Sequence, residues 1–216
     1  MVVRIKLLKS WKYFIKVLFN TFNVMEEIMS GSKVKIMAQG AMIASLFGVL
    51  GVINIYTGSI FDIIFAYIMV LGLAYYTYLY DYKAGLSVLA VTFFVLFLVG
   101  EIFFTLYASS SLIMGVFYGY CLRNQKSKRF AKYGLMVISA IKNFLIFFLL
   151  GGILGINIYQ EGMEIYGDII GIIPGLKRVF TPEITFGLLW LFMFICESYV
   201  VRVYSDILIG KMMKRK

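Results

Sequence analysis

With 216 residues, of which 62% are hydrophobic, 18% aromatic and only 15% charged, the chain departs from the soluble norm of about half apolar and a quarter charged residues. Its 21 lysines and arginines against 11 acidic residues give a formal charge of +10, and because they flank long apolar runs this charge points to anionic lipid headgroups, not nucleic acid. Histidine is absent, which removes the commonest general base and metal ligand.

Residues 1–32 read as a basic amphipathic segment. Arg4, Lys6, Lys9, Lys12 and Lys16 are interleaved with Ile5, Leu7, Leu8, Trp11, Phe14, Ile15, Leu18 and Phe19 at helical spacing, the pattern of a helix lying in the membrane interface. The same charges leave no uninterrupted apolar stretch for a cleavable signal. Residues 33–206 read as an all-α polytopic domain, six transmembrane helices in one bundle, since continuous apolar runs of about 20 residues cross hydrocarbon as helices.

The spans are expected at 34–55, 59–80 and 84–106, then a short fourth ending near 122, then 133–156 and 184–204. Asn54, Tyr56, Thr57 and Gly58 mark one outer turn, and the polar run Ser109, Ser110 and Ser111 marks a second. Asp81, Tyr82 and Lys83 turn the chain on the inner side, as does the stretch 123–132, which holds five basic residues and no acidic one. The connection 157–183 carries Glu161, Glu164, Asp168 and Glu183 and is assigned outside, with Pro174 and Pro182 as helix breakers. Residues 207–216 form a basic tail.

With Arg202 snorkelling inward, every basic residue except Lys142, Lys177 and Arg178 falls on the inner side. The bias of lysine and arginine toward cytoplasmic loops then places both termini in the cytoplasm, in a bacterial cytoplasmic membrane. Cys121 and Cys196 sit within spans without C-x-x-C spacing and are expected as free thiols.

No P-loop, G-x-S-x-G elbow or metal-binding motif occurs. No catalytic residue, metal or cofactor is assigned, and the chain is expected not to be an enzyme. What remains inside the membrane is a small set of ionisable residues, Glu101, Lys142 and Glu197, which at such depth face a partner or a cavity. Lys142 lies about 13 Å and Glu197 about 10 Å from the inner ends of consecutive spans at about 1.5 Å per residue. They are therefore expected to form a buried ion pair, either structural or serving as a relay.

Glu101 shares its height with Tyr107, with Asn54 and Tyr56, and with Trp190, so this group could line an outward pocket. The aromatic members could equally be interfacial anchors. In the first span, Gly40, Ala44 and Gly48 repeat every four residues, a spacing that lets another helix approach closely, either within this bundle or on another subunit.

The stretch Gln39, Gly40, Ala41, Met42, Ile43, Ala44 and Ser45 resembles the small-residue opening of the S components of energy-coupling factor (ECF) transporters. The chain more closely resembles the YybS-like bacterial membrane protein family through Tyr82, Lys83, Ala84, Gly85 and Leu86, through 115–128 with Gly119, Tyr120, Cys121, Leu122 and Arg123, and through Gly155, Ile156, Asn157, Ile158 and Tyr159. That second resemblance extends over about residues 33–170. The S-component resemblance implies a six-span subunit that binds a vitamin or related micronutrient from outside and docks on a transmembrane coupling protein with two ATPase subunits. It implies docking through Ala41, Ala44, Ser45 and Gly48, and a small water-soluble ligand held near Asn54, Tyr56, Glu101, Tyr107, Asn157 and Trp190. The alternative is a non-enzymatic accessory or structural subunit of another membrane complex.

Overall fold

A computed structural model describes residues 33–99, 102–154, 160, 163–164 and 181–213. The amphipathic segment 1–32 lies outside the described residues. Among the described residues the protein is all α: α1 is Lys33–Tyr56, α2 Asp62–Leu79, α3 Tyr82–Val99, α4 Ile102–Arg123, α5 Lys128–Leu154 and α6 Pro182–Met213. All six are long and apolar enough to cross a membrane. Bulky apolar side chains stay uncovered along them, Leu98 at 83% exposure for example, as suits helices whose outer solvent is hydrocarbon.

By packing, the chain divides into residues 1–39 and 40–216. The described part of the first unit is the opening of α1, and the second unit holds the remainder. Within the second, α4 is the central post. It packs on α2, α3, α5 and α6, most extensively on α2, and side chains on all its faces are buried, from Phe104, Ala108 and Leu112 to Met114, Tyr118 and Cys121.

The α2–α4 contact rests on two rows of small residues at four-residue spacing. Gly115 and Gly119 on α4 face Val70 and Ala74 on α2, all of them buried. A Cβ at Gly115 would stand 2.6 Å from the Val70 carbonyl oxygen, and one at Gly119 would collide with the Ala74 carbonyl. Backbone thus approaches backbone, which is how helices gain dispersion contact where lipid supplies no hydrophobic drive.

Ser109, Ser110 and Ser111 do not form a turn. They lie inside α4, where the Ser110 hydroxyl donates to the Leu106 carbonyl (2.7 Å) and the Ser111 hydroxyl to the Tyr107 carbonyl (2.7 Å). A serine that bonds back to the preceding turn needs no water, so the fourth span is a full 22 residues. The third helix correspondingly ends at Val99 instead of reaching 106. The last helix runs through Met213, taking in residues 207–213 of the expected tail.

Two of the connections close with the same device. After α1, Gly58 takes φ +67°, the Ser59 amide donates to the Asn54 carbonyl (3.0 Å) and the Gly58 amide to the Ile55 carbonyl (2.9 Å), the paired bonds of a Schellman motif. After α4, Gln125 takes φ +49° with Lys126 to Cys121 (2.9 Å) and Gln125 to Leu122 (3.2 Å). The Ser127 hydroxyl then accepts from the Phe130 amide (3.2 Å) and caps α5. Thr181 caps α6 through the Ile184 amide, and the Thr181 side chain holds the exposed Glu183 carboxyl below the usual carboxylate range.

Arg123 links this end of the bundle together. Its guanidinium donates to the carbonyls of Tyr78 (3.2 Å) and Leu79 (2.6 Å) in the last turn of α2, where a cation complements the helix dipole. Arg123→Ala is expected to lower stability by about 0.5–1 kcal/mol, with Arg123→Lys recovering part of it in a detergent unfolding titration. Equal stability of all three proteins would show that the contact contributes nothing.

Candidate functional site

On α5, Ser139, Lys142 and Asn143 stand at i, i+3 and i+4 and so share one face. All three are buried, and so is Glu197 on α6. Lys142 Nζ lies 2.7 Å from Glu197 Oε1, with side-chain exposures of 2% and 6%. The other carboxylate oxygen accepts from the Ser139 hydroxyl and from Asn143 Nδ2 (3.0 Å), and Asn143 also donates to the Ser139 carbonyl (3.0 Å). A charge pair in a dry interior is tolerable only when both ions are also hydrogen-bonded, and here the carboxylate has three side-chain donors.

Helix α4 completes the lysine's surroundings. Lys142 Nζ stands 3.4 Å from the Ser111 hydroxyl and 4.6 Å above the centre of the Tyr107 ring, within range of a cation–π attraction. From α2, the buried Tyr67 hydroxyl faces Glu197 and Tyr107 without closing a hydrogen bond to either. Four helices thus bring two opposite charges, four hydroxyls and an amide to one place.

At the end of the bundle carrying the 57–61 turn there is a separate polar contact. Asn54, fully buried, donates through Nδ2 to Asp62 Oδ1 at the head of α2, while its own Oδ1 has no partner. Toward the other end, the Tyr118 hydroxyl donates to Asp206 Oδ1 at 2.7 Å.

Of the residues singled out in the sequence, Lys142, Glu197 and Tyr107 come together, whereas Asn54 pairs with Asp62 at the head of α2. Tyr56 does not join them and is 86% exposed. Trp190 is half-buried on α6 with its ring edge-on to Phe194, centroids 5.8 Å apart. Glu101 and Asn157 lie outside the described residues.

The small-residue face of α1 is filled by this chain. Ala44 is 1% exposed, a Cβ at Gly48 would stand 2.5 Å from Val95 of α3, and one at Gly51 would meet Leu96 and Phe104. Ala44 and Gly48 are therefore committed to packing within the bundle, whereas Ala41 and Ser45 remain exposed, the Ser45 hydroxyl donating to the Ala41 carbonyl (2.9 Å). Cys121 and Cys196 are free thiols, buried and half-buried.

Tyr67, Asp62, Ser111 and Ser139 were not legible as members of the site. Ser139 carried a usable signal, its i, i+3, i+4 spacing to Lys142 and Asn143. Tyr67 carried none, as one of 16 tyrosines in an apolar chain.

Six apolar helices among the described residues, each long enough to cross a membrane, with an ion pair buried between two of them, define a multi-pass membrane protein, in contact with lipid over its uncovered faces. Residues 45–173 match the family described as predicted membrane protein (DUF2232). The match takes in more than half of the chain, which belongs to that family. No curated protein and no solved structure matches it.

Proposed function

We propose that this chain is a binding subunit of a micronutrient importer, similar to the S components of ECF transporters, without enzymatic activity of its own. It takes a small water-soluble ligand from outside and docks on a transmembrane coupling protein that carries two ATPase subunits. The basic connections and both termini face the cytoplasm, so the 57–61 turn faces out. The observation that supports this reading is the convergence of Tyr67, Tyr107, Ser111, Ser139, Lys142, Asn143 and Glu197 from four helices, with the Tyr67 hydroxyl left unpartnered. Buried polar groups in native proteins nearly always have partners, and a polar ligand entering between α2, α4, α5 and α6 supplies one. With Ala44 and Gly48 packed inside the bundle, docking falls to the exposed side of α1 at Ala41 and Ser45.

The test is gentle purification from the native membrane followed by mass spectrometry of co-purifying proteins and small molecules. A coupling protein with paired ATPases, and a bound solute that is lost from folded Tyr67→Phe protein, is the expected result. A stoichiometric unrelated complex with no bound small molecule would replace this reading by that of an accessory subunit.

A further inference from the structure

The basic residues of the connection 123–132 are not equivalent. Arg123 is committed to the carbonyls of Tyr78 and Leu79. Lys126, Lys128, Arg129 and Lys132 are exposed and, among the described residues, make no ion pair. Their backbone is held in place: Asn124 Nδ2 donates to the Tyr120 carbonyl (2.9 Å), the Lys126 amide to the Cys121 carbonyl (2.9 Å), and the Ser127 hydroxyl caps α5. Four like charges fixed this close repel one another unless an anion lies among them.

From the same place an apolar face runs up α5. Phe130, Tyr133, Val137, Ile141 and Phe144 are each half or more exposed, and their spacing sets them on the side of the helix opposite Ser139, Lys142 and Asn143. Phe130 is positioned at the foot of this face by the Phe117 ring of α4, the centroids 5.9 Å apart, and Phe117 reaches it because Gly134 has no side chain there; a Cβ would collide with that ring. Tyr133 to Phe144 covers about 16 Å at about 1.5 Å of rise per residue, which is the depth of one leaflet of a hydrocarbon core about 30 Å thick.

We propose that this side of α5 holds one phospholipid of net negative charge, its phosphate among Lys126, Lys128, Arg129 and Lys132 and an acyl chain along Tyr133, Val137, Ile141 and Phe144. The two halves of the surface select the occupant together. An acidic soluble protein or a nucleic acid would use the cations and leave the apolar face uncovered. A zwitterionic lipid would cover the face but bring its own cation against four others. An anionic lipid suits both, since the Arg129 guanidinium can take two phosphate oxygens at once. The Tyr133 ring, with Lys132 Nζ 5.9 Å from its centre, then sits at headgroup level, where tyrosines anchor membrane helices. This inference goes beyond the importer reading and requires neither its solute nor its coupling protein.

The experiment places a fluorescent reporter on the face: Val137→Trp in the full-length chain carrying Trp11→Phe and Trp190→Phe. The protein is reconstituted in vesicles of phosphatidylglycerol and phosphatidylcholine in equal parts, with bromine at mid-chain in one lipid or the other. Brominated phosphatidylglycerol is expected to quench the reporter more than brominated phosphatidylcholine does. Each basic side chain beside an anionic headgroup is worth about fivefold in binding, so that preference should fall about fivefold in Lys132→Gln and about 20-fold in Lys128→Gln/Arg129→Gln. Lys83→Gln/Lys211→Gln, which removes the same charge elsewhere, should retain it. Where the reporter protein does not fold, native mass spectrometry of the natural chain from the same lipid mixture reads the same preference as one retained phosphatidylglycerol per chain. Equal quenching by the two lipids, a preference that survives Lys128→Gln/Arg129→Gln, or one that falls as far in Lys83→Gln/Lys211→Gln would each overturn the proposal. None of these outcomes depends on whether a solute is found.

Discussion

Gly119→Leu is expected to destabilise the protein by about 3 kcal/mol, the upper end for overpacking a closed interface, and to lower its yield from membranes. The reason is the identity of the neighbours. A Cβ at Gly119 meets the Ala74 carbonyl, Thr77 Cβ and the Tyr78 amide, and one at Gly115 meets the Val70 carbonyl and the Ala74 amide. These are mostly backbone atoms of a hydrogen-bonded helix, so no rotamer change relieves the clash and α2 and α4 must separate. That separation also withdraws Tyr67 from Glu197 and Ser111 from Lys142. The control lies in the same chain: a Cβ added at Gly187 or Gly210 on α6 would have no neighbour within 4 Å, so alanine there should change stability by less than about 1 kcal/mol, and in the stabilising direction expected of Gly to Ala in a helix. Unfolding titrations in mixed detergent micelles compare the three. Similar midpoints for Gly119→Leu and Gly187→Ala would refute the close α2–α4 approach.

The helices were legible because hydrocarbon allows so few solutions: a run of about 20 apolar residues must satisfy its own backbone. Lys142 and Glu197 could be set at similar heights because helical rise is fixed. What could not be read was rotation about each helix axis. α1 through α4 are apolar on nearly every face, so no polar stripe announces which side turns inward, and Tyr67 looks like any interfacial tyrosine until α4 is set beside it. The serines at 109–111 misled for a related reason. In a soluble chain such a run marks a turn, but in a membrane helix the hydroxyls bond to carbonyls one turn back. Reading them as a turn shortened the fourth span and hid the Ser111, Gly115 and Gly119 row that makes α4 the central post. The row in α1 was visible from its spacing, yet spacing alone does not distinguish a helix of the same chain from a partner's. The bulk of Val88, Val95 and Leu96 on α3 decides that in favour of the bundle.

Removing one member of the ion pair is expected to cost about 3–5 kcal/mol, because the other charge is then buried without a counterion. Lys142→Met leaves Glu197 with only Ser139 and Asn143, and Glu197→Gln leaves Lys142 with the Ser111 hydroxyl and the Tyr107 ring. Both single variants should therefore unfold at lower denaturant than the double variant Lys142→Met/Glu197→Met, in which no charge remains to be desolvated. The double variant should still fall short of the natural protein, since Ser139, Asn143 and Ser111 lose partners at about 1–3 kcal/mol for each group left unsatisfied. Exchange of the two charges should recover more than either single variant, as Ser139 and Asn143 can turn acceptor oxygens toward a lysine at 197. An exchange no better than the single removals would mean that the pair contributes nothing by its charge. The double variant also separates structure from function. If the pair exists only to make two charges tolerable inside a membrane, the apolar double variant will keep solute binding. If the pair belongs to the binding site, the double variant folds and loses solute binding.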